Sequence, residues 1–188
     1  MRNPAHAMDE AEFDEAKLVR AAREDPAAYA CLYRRYVTRI YRYLFSFTGD
    51  RETTKDLTAR VFTAAWEGLG RYKEQGNFAA WLFRIARNKA GDFHRKRRDH
   101  LSLEQAGEWL VEQSDILDAL ERREEMESLY KLVAGLSEDQ IELLRLRFAG
   151  DLTYAEIGRV TGRSEAAVKM AMSRLLRRLR DDWEANDA

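Results

Sequence analysis

Cysteine is nearly absent: Cys31 is the only one in 188 residues. A single thiol can form no intramolecular disulfide and no zinc site built on several cysteine ligands. Its place in the apolar-rich run AYACLYRRY reads as a buried, inert thiol. Histidine is scarce too, and His6, His94 and His100 show no HExxH or comparable ligand spacing, so no metal site is expected. No run of about eighteen apolar residues occurs, and the chain does not open with a cationic stretch followed by an apolar one. A soluble, cytoplasmic protein is expected. GxxxxGK[ST] and GxGxxG are both missing. Glu121, Glu124, Glu125 and Glu127, beside Arg122 and Arg123, lie at helical spacing as a solvated face rather than as paired catalytic carboxylates. No catalytic residue, cofactor or small-molecule substrate is expected.

The formal net charge of -1 hides a strong segregation. Residues 84–98 carry Arg84, Arg87, Lys89, Arg95, Lys96, Arg97 and Arg98 against Asp92, a local +6. Residues 159–180 carry seven cations against Glu165, again +6, and between the two stretches residues 104–127 hold nine acids against Arg122 and Arg123. Two basic segments separated by an acidic one suggest two surfaces for a polyanion on one chain.

The periodicity is helical throughout. After the polar tail MRNPAHAMDEAE, a helix over Glu12 to Arg23 places Phe13, Ala16, Leu18, Val19 and Ala22 on one side. Asp25 and Pro26 supply an N-cap and a first helical residue for a second helix to Thr48, with Leu32, Tyr36, Ile40, Tyr43, Leu44 and Phe47 on its stripe. A third helix over 52–70 has the inner face Leu57, Val61, Phe62, Ala65, Trp66 and Leu69. Beyond the polar loop RYKEQGNF, a fourth over 78–98 starts with Phe78, Trp81, Leu82, Ile85 and Ala86 and ends basic, closing an N-terminal domain over 12–98. Residues 99–117 read as an acidic linker, with Ser102 and Gln105 spaced as a capping box. A C-terminal domain over 118–183 follows. Its first helix runs to Gly135, a second over 138–149 is capped by Ser137 and Gln140, and a third over 154–160 is capped by Thr153 and Glu156. The last, from Ser164, buries Val168, Met172, Leu175, Leu176 and Leu179.

Residues 153–180, TYAEIGRVTGRSEAAVKMAMSRLLRRLR, have the order of a helix-turn-helix unit. Ala155 is the small residue expected to permit close helix crossing, Gly162 supplies the turn, and Ile157, Val160 and Val168 pack the pair. Arg163, Ser164, Glu165 and Lys169 reach outward first, then Met170, Ser173 and Arg174. Ser164 reads as an N-cap ahead of a DNA contact, and Met170 suits groove contact and helix packing equally. Arg177, Arg178 and Arg180 lie far enough along to favour phosphates or solvent over base edges. In 71–98, Tyr72, Phe78, Trp81 and Phe93 interleave with Arg84, Arg87, Asn88, Lys89 and Arg95, which suits an unstacked strand. Phe78 and Trp81 fit a core better than a stacking platform, whereas Arg84, Asn88 and Lys89 fall opposite the apolar stripe. A self-sufficient helix-turn-helix regulator would account for 118–182 alone.

Four segments in order, LYRRYVTRIYRYL, DLTARVFTAAW, NFAAWLFRIARNKAGDFHRKRR and LTYAEIGRVTGRSEAAVKMAMSRLLRRLR, resemble regions 2 and 4 of bacterial extracytoplasmic-function (ECF) sigma factors of the sigma-70 family, over about residues 13–98 and 118–182. The resemblance implies an all-α fold of two small helical domains joined by a flexible linker: an N-terminal four-helix region 2 domain and a C-terminal helix-turn-helix region 4 domain. It implies a non-catalytic promoter-specificity subunit whose partners are core RNA polymerase, promoter DNA (duplex minus-35, single-stranded non-template minus-10) and an anti-sigma factor. A membrane-bound anti-sigma partner would hold such a protein near the membrane. By the same resemblance Asp56, Leu57, Ala59, Arg60 and Phe62 meet the polymerase clamp. Lys73, Gln75, Gly76, Asn77, Phe78, Arg84, Arg87, Asn88 and Lys89 meet the minus-10 strand. Arg163, Ser164, Lys169, Met170, Ser173, Arg174, Arg177 and Arg178 meet the minus-35 duplex. Ala59 and Arg60 stand where the family commonly has Gln and Glu, which removes an amide and reverses a charge. Met170 and Ala171 stand where many relatives have Ser and Arg, which implies apolar contact with a thymine methyl. The acidic linker resembles a nucleic-acid mimic and a solubilising tether in equal measure.

Overall fold

The computed structural model describes residues 15–73, 77–98 and 135–186. Expectations for the N-terminal tail, the linker over 99–117 and the helix from Asp118 lie outside those residues. The chain separates into two compact units, Met1–His100 and Leu101–Ala188. Among the described residues all regular structure is helical.

In the first unit, α1 covers residues 15–21, α2 Pro26–Thr48, α3 Arg51–Gly68 and α4 Phe78–Arg98, with a 3-10 turn at Leu69–Arg71 after α3. The helix boundaries follow local chemistry. Asp25 accepts from the Ala27 amide at 2.8 Å with Pro26 in the first turn. α2 ends on Gly49, whose φ of 62° falls in the left-handed region that a side chain would resist. Asp50 then caps α3, accepting from the Thr53 amide at 2.7 Å, and hydrogen bonds from the Thr53 side chain and amide hold its carboxyl below the usual carboxylate range.

α2, α3 and α4 pack on one another. Leu32, Ile40, Tyr43 and Leu44 from α2 meet Val61 and Ala65 from α3 and Leu82, Phe83 and Ala86 from α4, all buried. Each large apolar side chain so buried contributes about 1.5–3 kcal/mol. Phe83, absent from the periodic stripe read above, is fully buried with its ring 5.4 Å from that of Tyr43. α1 is fastened by Val19 and Ala22 and by the Tyr36 hydroxyl, which donates to the Glu15 carboxylate. Two expectations are overturned here. Cys31 is exposed, because it falls on the flank of α2 that neither α3 nor α4 covers. Trp66 is also exposed, at 41%, since the inner stripe of α3 is narrower than its apolar stripe.

In the second unit, α5 is Glu138–Leu144, followed by a π-helical turn Arg145–Ala149, then α6 Tyr154–Thr161 and α7 Glu165–Asn186. Both capping boxes form, Ser137 with Gln140 and Thr153 with Glu156. The expected helix over 138–149 widens in its last five residues, where the Gly150 amide donates to the Arg145 carbonyl at 2.9 Å. Arg147 secures the next turn by donating to the Leu152 carbonyl at 2.9 Å. Leu143, Leu146, Leu152, Ile157, Val160, Val168, Met172 and Leu175 form the core. Leu176, expected inside, is 40% exposed. α6 ends on Gly162 with φ 74°. The close approach in the helix-turn-helix unit belongs to Gly158 and not to the half-buried Ala155: a Cβ on Gly158 would lie 2.6 Å from the Arg163 carbonyl oxygen.

Candidate nucleic-acid interface

α7 buries one face and presents another. Val168, Met172 and Leu175 point into the core, which turns the rows on the opposite side outward. There Lys169, Met170, Ser173, Arg174 and Arg177 line one shallow depression, so five of the residues selected from sequence meet on a single surface. Met170 is 54% exposed and so is not packed against a neighbouring helix. Ser164 is engaged as an N-cap, its hydroxyl accepting from the Ala167 amide at 3.2 Å. Arg163 lies against the Asp139 carboxylate at 2.5 Å and ties the turn to the start of α5. Lys169 contacts Glu165 at 2.9 Å, and that hydrogen bond and charge hold its ammonium above the usual lysine range. Arg178, further along, pairs with Asp182 at 3.4 Å.

The second basic surface runs along α4. Asn77 caps this helix, its side-chain oxygen accepting from the Ala80 amide at 2.9 Å. Phe78 is 3% exposed and packed against Tyr36, Tyr72 and Trp81 at ring distances of 5.5, 5.8 and 5.4 Å. It is core, and no base can stack on it. Lys73, Arg84, Arg87 and Asn88 are exposed and Lys89 half-buried. Gln75 and Gly76 lie outside the described residues.

A third feature lies between α2 and α3: a groove of about 570 Å³ whose walls include Tyr29, Tyr33, Ala59, Phe62 and Trp66. Tyr29 stands edge-on to Trp66 and Tyr33 edge-on to Phe62, each pair with ring centroids 4.7 Å apart. The Tyr29 hydroxyl donates to the Phe62 carbonyl, and burial pushes its pKa up to about 12. The Thr58 hydroxyl, buried in the wall, finds no hydrogen-bond partner among the described residues. On the rim of α3, Asp56 and Arg60 pair at 2.7 Å, both exposed. Leu57, selected as a contact residue, is 5% exposed and faces the core. Trp66 was missed as a surface residue. Its signal was the row Ala59, Phe62 and Trp66, at helical spacing, which widens the apolar stripe beyond what one neighbouring helix can cover.

Among the described residues no cluster of His, Cys, Asp and Glu could hold a metal ion, and no helix is long and apolar enough to cross a membrane.

Two known family descriptions match the chain: Sigma-70 region 2 over residues 32–100 and Sigma-70, region 4 over residues 126–179. The chain is 35% identical over 186 residues to the ECF RNA polymerase sigma factor BldN of Streptomyces coelicolor, a similarity that covers 95% of this chain and 68% of that protein. In fold it is similar to CnrH, solved in complex with the cytosolic domain of CnrY, with a TM-score of 0.63 and 24% identity over 89% of this chain and 95% of that one. It is similar too to the sigma factor RpoE of Bartonella quintana, solved with the anti-sigma factor NepR, with a TM-score of 0.59 and 20% identity over 83% and 96%.

Proposed function

The chain belongs to the ECF RNA polymerase sigma factors of the sigma-70 family, and on that premise we propose that its two units divide promoter recognition between them as follows. It directs core polymerase to promoters and serves in transcription initiation. The unit over 118–183 reads the minus-35 duplex through α7. Lys169, Met170, Ser173 and Arg174 meet base edges in the major groove, while Arg177 and Arg178 meet phosphates and set register. The observation that carries this assignment is the shared exposed depression of Lys169, Met170, Ser173, Arg174 and Arg177 on the second helix of the pair.

The unit over 12–98 does two things. Asp56, Ala59, Arg60 and Trp66 form the face that meets the polymerase clamp, with the aromatic groove, lined by the largely buried Phe62, as its apolar centre. Lys73, Gln75, Gly76, the exposed Arg84, Arg87 and Asn88, and the half-buried Lys89 take the non-template minus-10 strand once it unstacks. Extruding a base costs a few kcal/mol, which these polar and cationic groups offset. The residues over 99–117 tether the units. Each DNA surface alone is small, so polymerase orients both and the combined affinity comes from simultaneous engagement.

The protein is non-catalytic. It acts in the cytoplasm with core polymerase and DNA, under the control of an anti-sigma factor, which would hold it near the membrane where that partner is itself membrane-bound. The test is reconstituted transcription with core polymerase on a promoter library. Enrichment of a two-element promoter is expected; nanomolar binding of duplex DNA by the isolated chain in physiological salt, without polymerase, would instead identify a self-sufficient regulator.

A further inference from the structure

The row of side chains that faces out from α7 begins with a carboxylate. Glu165, Lys169 and Ser173 follow one another at one-turn spacing. Lys169 and Ser173 line the exposed depression, and Glu165 meets Lys169 at 2.9 Å with both side chains about half exposed. An acid on a surface that approaches a polyanion is unfavourable unless something in the groove accepts it. In the major groove that something is an exocyclic amine, of cytosine or of adenine. Adenine carries the N7 acceptor beside its amine, and a carboxylate has no proton to offer it. Cytosine presents N4 alone, and its paired guanine presents O6 and N7, which suit an ammonium. Lys169, already held against Glu165, carries that ammonium.

Resting on the reading of α7 as the recognition helix, we propose that Glu165 is a specificity-determining residue that reads a C·G pair jointly with Lys169 in the upstream promoter element. Glu165 accepts from cytosine N4, and Lys169 donates to O6 or N7 of the paired or adjacent guanine. A first-turn acid that served only the helix dipole would show no base preference.

Holoenzyme assembled from core polymerase and the full chain is titrated with duplexes in which each pair of a library-selected upstream element is replaced in turn. The unsubstituted protein should lose on the order of ten- to a hundredfold in affinity when one C·G pair is changed. Glu165→Ala should lose that discrimination and keep the rest. Glu165→Gln should move the preference at that position towards A·T, because the amide adds the donor that N7 accepts. A uniform gain in affinity for all sequences with Glu165→Ala, as removal of a repulsive charge alone would give, overturns the inference, and so does an unchanged base preference. Arg174→Ala separates the two levels. If it weakens binding to the element while the Glu165 variants keep the preference, only the role of Glu165 falls; if it too is silent, the recognition-helix reading falls with it.

Discussion

Gly158 in α6 and Arg163 at the foot of α7 are in backbone contact: the Arg163 amide donates to the Gly158 carbonyl at 2.9 Å, and a Cβ on Gly158 would stand 2.6 Å from the Arg163 carbonyl oxygen. The turn therefore folds back onto a helix position that has no room for a side chain. The angle at which α7 is presented depends on it.

Gly158→Ala should consequently destabilise the second unit, although glycine to alanine inside a helix ordinarily gains up to about 1 kcal/mol. The clash is with backbone, so overpacking of about 1–3 kcal/mol should prevail. Thermal unfolding followed by amide exchange, resolved by unit, checks this. A second unit as stable as before would show that the turn yields at no cost.

Arg174→Ala and Arg178→Ala should weaken DNA binding in different ways. Removing the base-edge hydrogen bonds proposed for Arg174 should cost about 1–3 kcal/mol and relax the sequence preference. Arg178, further along and paired with Asp182, should lose affinity evenly across sequences and reduce the salt dependence. Titrations of holoenzyme on selected and scrambled elements at several salt concentrations distinguish them. Equal losses on both elements for Arg174→Ala would remove it from base readout.

Trp66 and Leu57 lie on the same helix and should separate binding from stability. Trp66→Ala removes an exposed aromatic of the groove and should lower affinity for core polymerase about tenfold or more with modest loss of stability. Leu57→Ala removes a core side chain and should cost about 2–5 kcal/mol of stability. Polymerase affinity by fluorescence anisotropy, set against denaturant midpoints, is the measurement. Unimpaired polymerase binding by Trp66→Ala would rule out the groove as the clamp face.

Asn88→Ala should slow promoter opening more than initial binding, because the proposed role of the exposed Asn88 amide is to meet the strand only after it unstacks. A base-analogue fluorescence signal on duplex and pre-melted promoters reads the two steps. Unchanged opening together with unchanged affinity for the single-stranded element would exclude Asn88 from the site.

The first unit should lose stability in alkali. Burial raises the Tyr29 hydroxyl to about 12, and burial together with Glu15 raises that of Tyr36 as well. The fold thus favours the protonated phenols. Their contribution is complete below the ordinary tyrosine value of about 10 and is lost as pH rises through the folded values. Denaturant midpoints from about pH 9 to about pH 12 should fall more steeply for the unsubstituted protein than for Tyr29→Phe. Parallel profiles would contradict this linkage.

Much of this architecture is local and can be read without coordinates. Asp25 and Pro26 start a helix because an N-cap acceptor and a fixed φ act within one turn, and the Ser137–Gln140 and Thr153–Glu156 boxes close over three residues. The outward rows of α7 follow equally from spacing, since burying Val168, Met172 and Leu175 leaves Lys169, Ser173 and Arg174 no other direction. What spacing alone does not contain is how much of an apolar stripe its neighbours cover. Phe83 is enclosed and Trp66, Leu176 and Cys31 are left outside, each because of where another helix lies. The same holds for Gly158, whose bare Cα is required only because the turn returns across it. Periodicity gives a residue's angle on its own helix axis; the distance to the next helix, which decides burial and contact, arises only when the elements pack.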